Sequence, residues 1–114
     1  MGEFFEILKA IENKKSDLVK KAESLCEKYK SNIPERSQLQ NLKNVAHSTT
    51  CIEEIKNYIR YQIGRKEWEK GFGEEIIKLI DTISAELGSD KEKTIRAVRL
   101  FIGYLIREER YLKG

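Results

Sequence analysis

Histidine, proline, tryptophan and methionine each occur once in this chain of 114 residues, and cysteine occurs twice. Each scarcity excludes something. Two cysteines, Cys26 and Cys51, are too few for a disulfide framework, and they read as reduced, partly buried thiols. Met1-Gly2-Glu3-Phe4-Phe5 carries acid where a secretory leader would be basic, which predicts no signal peptide and a cytoplasmic protein. No apolar run approaches the length needed to span a bilayer. No stretch alternates apolar and polar residues strictly enough for a strand, so no glycine-rich phosphate loop can follow one. The single histidine, His47, is four residues before Cys51, and Cys26 could join them. Three ligands at unrelated spacings make a poor zinc site, and no metal or cofactor is expected. Carboxylates are plentiful, but most stand three or four residues from a Lys or Arg, the spacing of helix-surface pairs. The inventory points away from an enzyme.

What the chain does have is charge and helical periodicity. Charged residues make up 36% and apolar residues 39%, with a net charge of +3. That total is too small to argue for nucleic acid, but the charge is unevenly distributed. Residues 1–35 balance at seven basic and seven acidic, 36–70 carry +3, 71–90 carry −4 and 91–114 carry +4. Two basic blocks flank an acidic one, a pattern that suits polyanion contact on one surface and a basic protein partner on another, or simply a varied solvated surface.

The pattern predicts an all-α, five-helix bundle in one domain, 1–114, with a long N-terminal helix and a largely buried C-terminal helix. Phe4, Leu8, Ile11, Leu18, Ala22, Leu25 and Tyr29 step by fours and threes through a first helix over 3–30, broken only at Lys15. That helix is about 40 Å long at 1.5 Å per residue. It either lies across the bundle or packs partly on another subunit, and Ser16 could cap a second helix within it. Pro34 opens a second helix running to Ala46, with Leu39, Leu42, Val45 and Ala46 buried. Thr50 and Glu53 have capping-box spacing for a third helix ending near Gly64. The stretch from Gly64 to Gly73 reads as a loop holding Trp68, either a core plug or a base-stacking ring. The fourth helix covers about 73–87, and Ser89 with Glu92 would cap the fifth, Lys91 to Leu112. The middle of that last helix, from Ala97 to Ile106, is apolar on nearly every side, so it should be central or shared with a second copy in a homodimer.

The third helix carries the candidate site. Ile52, Ile55, Ile59 and Ile63 share one apolar face, Lys56 and Arg60 share another, and Tyr58, Tyr61 and Arg65 line a third. This is either an ordinary amphipathic helix or a ridge of cations and rings suited to a phosphate backbone.

Ser37-Gln38-Leu39-Gln40-Asn41-Leu42, followed by Lys56 and then Tyr61-Gln62-Ile63-Gly64-Arg65, resembles the small subunit of type III-A (Csm) CRISPR effector complexes. The resemblance covers about residues 35–87, with 1–30 a variable leading helix and 35–112 the small-subunit core. Gln40 stands where the family usually has arginine, and Ile63 where it has a small residue. The resemblance implies a subunit without catalytic activity that stacks along the effector filament. Its partners would be guide RNA, target RNA, the repeating backbone subunit and the large subunit. Lys56, Tyr61, Gln62, Gly64 and Arg65 are the matched positions. Charge placement adds Arg60, Lys43, Arg36, Arg96 and Arg99 as RNA-backbone contacts. The alternatives are the small subunit of a type III-B complex, a structural helical adaptor without RNA contact, and a small enzyme built on His47 and Cys51.

Overall fold

Apolar residues recurring at helical pitch, with glycine, proline and short polar runs between them, set five helices in the computed structural model, which describes residues 2–114. They are α1 (Gly2–Lys28), α2 (Arg36–Ser48), α3 (Ile52–Gly64), α4 (Lys70–Glu86) and α5 (Lys91–Lys113), and no strand occurs among the described residues. Among the described residues, no helix is long and apolar enough to cross a membrane.

α1 is continuous through Asn13–Asp17, so Ser16 caps nothing. Where the apolar series lapses, ions take over. Asp17 accepts from Lys21 at 2.6 Å, and Lys14 bridges Asp17 and Glu86 at the end of α4. Three expected caps are displaced. Thr50 does not cap α3; Thr49 Oγ1 accepts from the Cys51 amide at 3.0 Å, and the helix opens at Ile52. Ser89 lies in the left-handed region at φ 59°, and its neighbour Asp90 accepts from the Lys93 amide at 2.9 Å. Pro34 precedes α2 rather than opening it, and Glu35 occupies the cap position. α4 starts earlier than the glycines suggest, because the Glu69 carboxylate accepts from the Phe72 amide at 2.8 Å and organises the first turn.

α5 is the central element, packed mainly on α1 and α2 and also on α4. The Arg96 guanidinium lies over the Phe4 ring near the start of both helices. Cys26 feels Glu108 and Glu109 near their ends, so α1 and α5 run in the same general direction. The core joins Leu18 and Leu25, Leu39 and Leu42, Ile55 and Ile59, Ile76 and Ile80, and Phe101 and Leu105, all buried. Trp68 is 3% exposed and plugs this core. It meets Phe72 edge-on at 5.8 Å, and Phe72 meets Tyr29 at the same distance. α3 and α4 approach closely at Gly73, where a Cβ would fall 2.5 Å from Ile63 Cδ1 and 2.8 Å from its Cγ1.

Burial of α5 is not complete all round. Val98, Phe101, Ile102 and Leu105 are enclosed, while Leu100, Tyr104 and Ile106 are only partly covered. α1, α2 and α4 do not close around the whole helix, and one flank between α1 and α2 stays open. The first turns of α1 are also uncovered: Phe4 and Leu8 are exposed although they continue the seam, and Phe5 beside them is exposed too.

Candidate nucleic-acid interface

α3 buries Ile55, Ile59 and Gln62 and turns Asn57, Arg60, Tyr61, Gly64 and Arg65 outward. At helical pitch these five form one contiguous face. The Arg65 guanidinium lies 5.4 Å from the centre of the Tyr61 ring, a cation-over-ring arrangement at the surface. Arg65 reaches Glu67 only at 3.9 Å, and among the described residues Arg60 has no carboxylate within salt-bridge distance. Tyr61 is therefore a surface ring beneath Arg65 and not a core residue. Gly64 is the last helical residue and keeps ordinary helical backbone. A Cβ there would meet nothing within 4 Å, so nothing within the fold demands glycine. The left-handed residue of the turn is Lys66, at φ 65°.

Two motif residues do other work. Lys56 donates to Asp81 at 2.7 Å across the α3–α4 seam, and its side chain is 18% exposed. Gln62 is 4% exposed, and its backbone carbonyl accepts from the Glu67 and Trp68 amides at 3.0 and 3.3 Å. In this conformation burial withdraws the Gln62 side chain from any RNA contact; it belongs to the corner that seats Trp68.

The cations added from charge placement separate into two groups. Arg36 donates to Glu109 at 3.1 Å. That carboxylate is 3% exposed, so Arg36 pins the start of α2 to the end of α5. Lys43, Arg96 and Arg99 come together instead on the open flank of α5, around a groove of about 490 Å³. Arg99 donates to the carbonyls of Ala46 and Thr49 at 2.9 and 3.0 Å, which gives partners to two acceptors at the end of α2. Arg96 pairs with Glu92 at 2.8 Å. The groove also holds Lys15 and Arg107, which the sequence reading did not select, and His47, which it weighed only as a metal ligand or catalytic group. Lys15 enters the sequence reading only as a break in the seam.

The thiol chemistry is quiet. Burial first, then the nearby carboxylates of Glu108 and Glu109, push the Cys26 thiol up to about 12, so it is a neutral core residue at ordinary pH. Cys51 is exposed, with its Sγ 3.6 Å from Glu53 Oε1. Among the described residues, no three His, Cys, Asp or Glu side chains converge as a metal site. Compared with family models, curated proteins and solved structures, the chain matches none.

Proposed function

We propose that this chain is a non-catalytic, RNA-contacting small subunit of a cytoplasmic type III-A CRISPR effector complex, holding the sugar-phosphate backbone with the outer face of α3. The observation that carries the reading is the surface made by Arg60, Tyr61, Gly64 and Arg65. It offers two cations five residues apart, a ring under one of them, and a bare helix position beside both. Guanidinium groups match phosphate oxygens in fork geometry. A glycine with empty space above it lets a sugar-phosphate strand approach the helix backbone closely. A grip of this kind reads charge and shape rather than base edges, which suits a subunit that must accept any guide sequence. The segment resemblance gives the family, and the helical architecture is compatible with it.

A second reading has its own support. The Lys56–Asp81 pair and the buried Gln62 give part of the motif a purely architectural task at the α3–α4 corner, as an adaptor without RNA contact would require. Crosslinking separates the two. The native assembly is recovered from cells with 4-thiouridine in their RNA and irradiated, and crosslinked positions are mapped by mass spectrometry. Crosslinks at Tyr61 and its neighbours on α3, with a repeating backbone subunit in the same assembly, are expected. Absence of any RNA crosslink on α2 or α3 supports the adaptor.

A further inference from the structure

The open flank of α5 is a groove between two parallel stripes. α5 contributes Arg96, Leu100, Gly103, Tyr104 and Arg107, and α1 contributes Leu8, Ile11 and Lys15, with Lys43 and His47 of α2 on the far wall. On α5 these residues span about three turns, roughly 16 Å at 1.5 Å per residue. The floor is aliphatic and aromatic and the walls are cationic. Among the described residues, three of the five exposed large apolar side chains, Phe4, Phe5 and Leu8, lie on the first turns of α1, and Phe4 borders the groove beneath Arg96.

Gly103 is the informative residue. It lies mid-helix in α5, where glycine is the poorest helix former after proline. A Cβ there would touch nothing within 4 Å. The fold does not require glycine at this place; a close-packed occupant would. We propose that this groove docks an amphipathic helix from a different protein, apolar on one side and acidic along its flanks.

The charges favour that occupant over others. Glu12 offsets Lys15 and Glu92 offsets Arg96, and Arg99 is committed to backbone carbonyls. Among the described residues no carboxylate pairs with Lys43 or Arg107, and Arg107 rests over the Tyr104 ring at 5.7 Å. A two-fold dimer through this face would set one cationic surface against an identical one. The chain's acidic helix α4 cannot serve from a second copy either, because Ile76, Ile80 and Ile83 are buried in its own core. An RNA strand would satisfy the cations but leaves Leu8 and Leu100 without an apolar partner. An acidic helix with apolar anchors at i, i+3, i+4 and i+7 satisfies both.

The test uses the full chain and a fluorescein-labelled 18-residue designed helix with leucine at those anchor spacings and glutamate elsewhere. A matched helix carries lysine for glutamate, and binding is read by anisotropy. The glutamate helix should bind at least about tenfold tighter than the lysine helix. Gly103→Leu should weaken it about tenfold or more while thermal unfolding shows the fold unimpaired. Lys43→Glu with Arg107→Glu should reverse the preference. Equal affinity for the two helices, or full binding by Gly103→Leu, would overturn the proposal. So would a dimer in sedimentation that Gly103→Leu dissolves, or loss of RNA binding in that variant, since each assigns the groove to another occupant.

Discussion

A cation's role in this chain depends on what its nitrogens already hold. Lys56, Arg36 and Arg99 donate to groups 25, 73, 53 and 50 residues away. Arg60, Lys43 and Arg107 have no acidic partner among the described residues. Sequence spacing cannot separate these classes, because the deciding partner comes from a distant helix. The same accounting governs acid behaviour. Hydrogen bonds from Lys21 and Lys14 hold Asp17 below the usual carboxylate range, and the bond from Lys14 does the same for Glu86. Their stabilisation is whole above that range and is lost as pH falls through the depressed values. Glu108 is shifted the other way, first by burial and then by Glu23 and Glu27. Its charge costs stability at neutral pH, and that cost is relieved as pH falls through its raised value. Chemical denaturation across pH should therefore show Lys14→Met less stable at neutral pH by up to about 1 kcal/mol, since its partners are partly exposed. The difference should close in acid. Glu108→Gln should be slightly more stable at neutral pH and converge with the parent in acid. A Lys14→Met deficit that persists undiminished in acid would assign it to lost packing.

Between elements, Ile63 sits against Gly73 with no room for a side chain at that glycine. The resemblance leads to a small residue at position 63, and the larger one present is matched by a missing side chain across the α3–α4 crossing. Gly73→Ala gains helix propensity but drives a methyl into Ile63, and should cost about 1–3 kcal/mol, as overpacking does. Combined with Ile63→Ala, the same change should cost far less, leaving a coupling of about 1 kcal/mol or more in a double-mutant cycle by urea unfolding. Additive losses would mean the two side chains do not compete for space. The helices themselves were readable, because apolar residues at three- and four-residue steps have no other fate in a chain without strand patterning. The caps were not. At Thr49–Thr50 and Ser89–Asp90 two adjacent residues can each accept an amide, and tertiary packing selects one of them. The start of α4 was missed because Glu69 supplies a cap that Gly71 and Gly73 disguise.

For the whole molecule, the sequence blocks of charge become two separate surfaces. The sequence reading picked out the residues of the α3 face but not their grouping: it set Arg60 beside Lys56 and apart from Tyr61 and Arg65, whereas Lys56 is drawn to Asp81 and Arg60 shares the exposed face with Tyr61, Gly64 and Arg65. The groove was not visible in advance, because α1, α2 and α5 each contribute a part and only folding assembles them. On the two proposals above, the surfaces take different partners, a strand on one and a helix on the other. The claim that the α3 face grips RNA backbone has a direct measurement. Mixed-sequence single-stranded RNA is titrated with the isolated chain across a salt series, alongside Arg60→Gln with Arg65→Gln. Weak binding that falls steeply with salt is the expected result, with the log–log slope of the double variant reduced by about 1.4, two phosphate contacts at about 0.7 each for single strands. Binding whose strength and slope are untouched by the double variant, or no binding at low salt, would contradict it.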